Sequence, residues 1–162
     1  MPLSVDRARI SSLLDAAKGK RVAIVGDAML DVYLRGDVDR ISPEAPVPVV
    51  RVRERKLALG GAANVAQNVA ALGARAELVA MVGKDVPGTL LREMLGAIGA
   101  EERALVEGSR PTTTKTRVLA RAQQVVRFDE EEDTDAAGAE VEALIAAVSR
   151  AVDDAHALVL ED

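Results

Sequence analysis

With 162 residues, 49% of them hydrophobic and 29% charged, the chain can bury one core of its own, and with Tyr33 and Phe128 as its aromatics that core falls to Ala, Val, Leu and Ile. A formal net charge of -5 argues against a nucleic-acid surface; the lack of cysteine excludes disulfides and Cys-ligated metal, and the single histidine, His156, excludes a multi-histidine metal centre.

In chain order, Ser4–Ala17 has the spacing of an amphipathic helix with Ile10, Leu13 and Leu14 inward, and its interspersed Asp6, Arg7, Arg9 and Asp15 set it apart from a signal peptide. Arg21–Val25 is a short apolar strand that ends at Gly26 and opens into a loop. Apolar strands recur at Leu78–Val82 and Ala157–Leu160, with helical stretches at Ala62–Leu72, Pro87–Ile98 and Ala136–Val152 between them. Asp85 and Pro87 have the chemistry of a helix start. Strands that alternate with helices imply an α/β fold with a parallel sheet, whose ligands bind beyond the carboxyl ends of the strands, where Asp27, Asp31 and Gly60 would converge.

Three segments break the alternation: Tyr33–Val38, Pro46–Arg53, and the pair Thr113–Ala120 with Gln123–Phe128. They predict a second, smaller sheet, and Pro46 and Pro48 confine the second segment to an edge or an entry. The acidic run Asp129–Asp133 reads as a solvated loop. No run reaches the roughly 18 apolar residues that a spanning helix needs, so the expectation is a soluble, cytoplasmic protein without a membrane partner.

The most informative stretch is Gly60-Gly61-Ala62-Ala63-Asn64, a glycine pair at the start of a helical pattern. Such a pair either turns the chain or lets a ligand approach a helix N-terminus with free N–H groups; Asn64 either caps that helix or offers its amide to the ligand. Neither a Walker Gly-Lys-Ser/Thr nor a Rossmann Gly-x-Gly-x-x-Gly is present, and no Ser, His and Asp stand in a nucleophile context.

The run from Gly60 to Gly83, with Asn64, Ala66 and Gly73 at their spacing, resembles the first signature of the ribokinase/PfkB sugar kinases. Gly26-Asp27-Ala28-Met29-Leu30-Asp31, Arg40–Val49 and Arg110–Ala120 are similar to one branch, the kinases of D-glycero-β-D-manno-heptose 7-phosphate, and the likeness extends from about Arg21 to Asp162. The resemblance implies a ribokinase-like parallel sheet flanked by helices, with a small β-sheet lid at approximately 32–53 and 112–129, and a homodimer through that lid. It implies ATP and Mg²⁺ as cofactors and transfer of a phosphoryl group to O1, giving the 1,7-bisphosphate used for ADP-heptose and the lipopolysaccharide core.

The resemblance also implies that Asp31 accepts hydrogen bonds from sugar hydroxyls and that Gly60, Gly61 and Asn64 bind hydroxyls through backbone N–H groups and the amide. On strand spacing Lys115 and Arg117 project to one face, with Arg110 nearby; they hold the substrate phosphate or form a solvated lid surface, while Arg127 and Asp129 form a salt bridge. Asp31 as a loop cap is the competing reading. The family's second signature, with its catalytic Asp, has no counterpart, so residues 1–162 read as the sugar half of a kinase domain, with neither a catalytic nor a metal residue assigned; Glu161 and Asp162 are left out of the metal site. The 162 residues alone are expected to be inactive, and steady heptose-dependent ADP release would contradict that. Another sugar kinase, or a non-catalytic module that binds a sugar phosphate or dimerises, are the alternatives.

Overall fold

The computed structural model describes residues 6–102, 104–121 and 123–161. Helix α1 (Arg7–Ala17) starts at Asp6, whose side chain accepts the Arg9 amide at 2.7 Å, and Ser4 of the predicted helix lies outside the described residues. Contrary to expectation, α1 buries none of its residues: Ile10, Leu13 and Leu14 are exposed, because no described element covers the face that carries them.

Strand β1 (Arg21–Gly26) is followed, after Asp27 alone, by β2 (Ala28–Ile41), β3 (Pro48–Gly61) and α2 (Ala62–Ala71). Next come β4 (Arg75–Val79), β5 (Met81–Gly83), α3 (Val86–Ala97) and β6 (Val106–Gly108). The chain continues through β7 (Thr114–Ala120), β8 (Gln123–Glu130), α4 (Ala139–Asp153) and β9 (Ala157–Glu161).

β1 lies between β4 and β9, parallel to both, as the βαβ pattern requires. The predicted strand Leu78–Val82 is divided. β4 ends at Val79 on β1, and after Ala80 the chain re-pairs as β5 with β6. An unbroken apolar run carries no mark of such a change of partner.

A second sheet has the order β3-β2-β7-β8, antiparallel except for the parallel β2–β7 pair. It is larger than the predicted 32–53 and 112–129, since β2 begins at Ala28 and β3 runs on to Gly61. β3 is an edge strand entered at Pro48, in line with the proline argument. Its Arg51–Lys56 stretch conceals the strand because both faces are exposed there and nothing selects apolar residues.

The core is built from small aliphatic side chains. Ala62, Ala63 and Ala66 of α2 are fully buried with Ile24, Leu78, Leu91 and Leu95, and alanines let the helix approach the sheet closely. A smaller cluster joins Ala23 and Val79 to Ala147 and Ala151 of α4. The inner face of the second sheet buries Leu30, Val32, Leu59 and Val118 together with Thr114 and Thr116. β9 leaves Leu158 and Leu160 exposed at the edge of its sheet. No helix of the described residues is long and apolar enough to cross a membrane.

Candidate functional site

The site forms where β1 hands over to β2, at the carboxyl end of the parallel sheet. Cross-strand register sets Gly61 opposite Ala28 and Gly60 opposite Met29. The Ala62 amide donates to the Asp27 carbonyl at 2.9 Å, and a Cβ on Gly61 would overlap that carbonyl oxygen. Gly61 has φ of +55° and ψ of -137°, a conformation open to glycine alone. The glycine pair therefore closes a strand and starts a helix in one step.

Asp31 is not a loop residue. It stands in the middle of the β2–β3 ladder, with Ala58 and Lys115 as register partners, so the loop-cap alternative fails: the predicted loop after Gly26 is one residue long. Its Oδ1 accepts a hydrogen bond from Nη1 of Arg117, and its Oδ2 lies beside Gly60, where an added Cβ would come within 2.9 Å. The Arg117 guanidinium stands over the Tyr33 ring, 5.5 Å from its centroid.

Asn64 is exposed on the first turn of α2, whose N-cap is Gly61 without a side-chain hydrogen bond; capping is thus not the role of Asn64. Lys115 and Arg117 do share one face of β7, alternating with buried Thr114, Thr116 and Val118. Each cation has an acidic partner. Lys115 Nζ lies 3.1 Å from Glu131 and 3.5 Å from Asp129. Arg127 holds Asp129 through two hydrogen bonds of 2.8 and 2.6 Å, the predicted salt bridge. Those bonds, with attraction from Lys115, keep the Asp129 carboxyl below the usual carboxylate range, and the same bonds with the Asp129 charge raise Arg127 above its ordinary value.

The acidic run is therefore no free loop. Asp129 and Glu130 end β8, Glu131 reaches Lys115, and Glu131, Glu132 and Asp133 border a polar cleft of about 270 Å³ with Asp27, Arg110 and Thr113. Arg110 donates to the carbonyls of Thr134 at 2.5 Å and Glu132 at 3.5 Å, which folds the acidic segment back toward β1. In sequence nothing marks this, because the partners lie more than twenty residues apart and acidic runs are usually solvated.

Asp85 does more than start α3. It accepts the Gly88 amide at 2.8 Å and both the amide and hydroxyl of Thr112 at 2.7 Å, while Thr112 Oγ1 accepts the Gly83 amide at 2.9 Å. Burial opposes ionisation of Asp85, but the Thr112 and Gly88 donors outweigh it and hold the carboxyl below its ordinary value. The knot fixes the segment leading into β7, and the Thr113 carbonyl in turn accepts the Leu30 amide at 2.9 Å. Asp85→Ala is expected to cost about 2–4 kcal/mol of stability in chemical denaturation, from a lost cap and stranded donors. Since the folded pKa is depressed, that contribution is present above the ordinary Asp value of about 4 and shrinks as the pH falls below it. A difference between parent and variant that persisted in acid would exclude the charged form as its source.

Residues 20–161 match the model of the pfkB family of carbohydrate kinases. The chain belongs to that family. Among its curated pfkB relatives, the D-beta-D-heptose 7-phosphate kinase of Bordetella bronchiseptica is 49% identical over 142 residues, covering 88% of this chain and 45% of that protein. The bifunctional protein HldE of Caulobacter vibrioides is 46% identical over 154 residues, 94% of this chain and 31% of its own length. The chain thus spans less than half of these relatives. Among solved structures, Arabidopsis thaliana ribokinase complexed with ribose and ATP superposes with a TM-score of 0.63 at 18% identity, over 88% of this chain and 45% of its own. A microbiome-derived acarbose kinase gives 0.65 at 17% identity, over 88% and 46%. The α/β, ribokinase-like architecture read from the motifs is that of these pfkB kinases.

The pfkB family uses ATP. Among the described residues no three His, Cys, Asp or Glu side chains are grouped to hold a metal ion, and Asp162 lies outside them.

Proposed function

We propose that this chain is the acceptor half of a kinase that phosphorylates D-glycero-β-D-manno-heptose 7-phosphate at O1, giving the 1,7-bisphosphate, in the cytoplasm, on the route to ADP-heptose and the lipopolysaccharide core. The observation that carries this reading is the Asp31 carboxylate laid against Gly60, where the absence of a Cβ lets Oδ2 lie close to the backbone at the start of α2. Carboxylate oxygens only accept, so Asp31 suits two adjacent hydroxyls. Gly60 and Gly61 let backbone N–H groups approach the sugar, and Asn64 extends its exposed amide from the first turn of α2.

Lys115 and Arg117 are the cationic side chains of this face, and the heptose 7-phosphate activity named for the Bordetella relative supports a substrate that needs them. ATP supplies the phosphoryl group and Mg²⁺ offsets its charge when they are bound. The residues present here bind and orient the acceptor, and the second sheet, as a lid, keeps water from competing with it.

The test uses the full-length protein. Turnover with heptose 7-phosphate should greatly exceed turnover with the same heptose lacking phosphate, and Lys115→Gln should lower that preference by about tenfold or more, as expected for one charge-assisted contact. Equal turnover of the two sugars, or none with either, would contradict the reading. Pairing of two lids is the proposed assembly, supported by exposed Val125, Val126 and Phe128 on β8; a monomeric mass in sedimentation would oppose it.

A further inference from the structure

We propose that Arg117 is a positioning residue that acts through Asp31, fixing the carboxylate against Gly60, and that contact with the substrate's own phosphate is left to Lys115. This role rests on the proposed function and divides the labour between its two cations.

Among the described residues, Arg117 meets Asp31 and Tyr33, both on the neighbouring strand β2. Register sets it beside Tyr33, over whose ring its guanidinium stands, and from there Nη1 reaches along β2 to Oδ1 of Asp31. The side chains of Arg117 and Asp31 are 23% and 16% exposed and that of Lys115 is 18% exposed, so it is the partners of the two cations, and not their exposure, that set them apart. A phosphate drawn to it would also be brought up against the carboxylate that Arg117 neutralises, and like charges so close repel. The division of the Asp31 oxygens points the same way. Arg117 takes Oδ1, while Oδ2 is the oxygen next to Gly60 and is left without the guanidinium. As a sugar covers Asp31 and strips its water, the guanidinium continues to compensate the carboxylate charge.

Lys115 is held differently. Its partners Glu131 and Asp129 sit at the end of β8, Glu131 is 37% exposed, and Asp129 already has both oxygens engaged by Arg127. Asp129 therefore loses little if Lys115 turns away, and an exposed Glu131 is readily rehydrated. A compact ammonium with three donors can exchange such partners for a phosphate, whereas a guanidinium clasped between a carboxylate and a ring cannot do so without releasing Asp31.

The test compares the full-length parent with Arg117→Gln and Arg117→Lys, each assayed with heptose 7-phosphate and with the heptose lacking phosphate. A displaced carboxylate should lower kcat/KM by about 10²-fold for both sugars. The preference for the phosphorylated sugar should stay within about threefold of the parent value, the scatter expected of independent contributions. Lys115→Gln is the contrast, since it should reduce that preference. If the Arg117 variants lose the preference as Lys115→Gln does, Arg117 holds the phosphate and the inference is wrong. Should Arg117→Gln fail to fold, Arg117→Lys, which keeps the charge but not the planar fork, carries the comparison. If the parent phosphorylates neither sugar, the proposed function fails by itself, and crystal structures of parent and Arg117→Lys then decide: Asp31 turned away from Gly60 supports the positioning role, and an unmoved carboxylate overturns it.

Discussion

Asp31→Asn is expected to lower kcat/KM of the full-length protein for its sugar by at least about 10²-fold, the loss that two charge-assisted hydrogen bonds of about 1.5–3 kcal/mol would produce. The substitution nearly preserves volume, so packing against Gly60 survives. It removes the negative charge, presents an NH₂ group where an acceptor is needed, and leaves the Arg117 guanidinium without its counter-charge in a half-buried position. Circular dichroism and the unfolding midpoint separate a chemical loss from a folding loss. Parent-like kcat/KM with Asn at this position would remove Asp31 from the acceptor site.

Gly61→Ala should produce the largest stability loss of any single methyl addition near the site, about 3 kcal/mol or more. Two costs combine. The residue has φ of +55° with ψ of -137°, which an L side chain strongly disfavours, and the new Cβ would overlap the Asp27 carbonyl oxygen that accepts the Ala62 amide. Relief requires β3 to move away from Asp27, which opens the ladder next to Gly60 and Asp31. Gly96 is the control. It lies in α3 with nothing within 4 Å of an added Cβ, so Gly96→Ala should stabilise by about 0.4–1 kcal/mol. A midpoint for Gly61→Ala equal to that of the parent would mean that the strand-to-helix junction tolerates a side chain.

Much of this site was legible in the chain before folding. Gly60-Gly61 and Asp31 stand out because each is out of place: a glycine pair before small apolar residues, and a carboxylate shortly after a buried strand. The alternation of strand and helix was enough for the parallel sheet, since apolar periodicity survives wherever an element has one buried face. Where burial is absent, periodicity is silent. The outer half of β3 consists of charged residues with both faces exposed, and its extent could not be read. α1 shows the reverse failure: its apolar spacing is genuine, yet the described residues supply no partner for it.

Ion pairing was the least legible feature. Arg117 and Asp31 are 86 residues apart, and only the parallel β2–β7 register brings them together. Lys115 could be recognised as a cation on a strand, but its engagement by Glu131 depends on where β8 ends. The charge type follows from sequence and the charge state of the surroundings from topology, so Lys115 and Arg117 looked equivalent until the sheet order was known.

The single residue between β1 and β2 has a mechanical consequence. A cover that swings usually does so on a loop, and here Asp27 is too short to be one, with its carbonyl already engaged by Ala62. β2 is thus a beam clamped at Leu30 by hydrogen bonding to Thr113 and by the β3 and β7 ladders on either side. Displacement of the outer sheet must be taken up as bending along the beam, and the compliant points are the two register shifts, at Arg35/Gly36 and Val38/Arg40. The half that carries Asp31 and Tyr33 lies on the clamped side of both. The far end can therefore flex while the carboxylate keeps its place, and amide exchange graded along β2, slow at Leu30 and fast beyond Val38, is the expected signature of that arrangement.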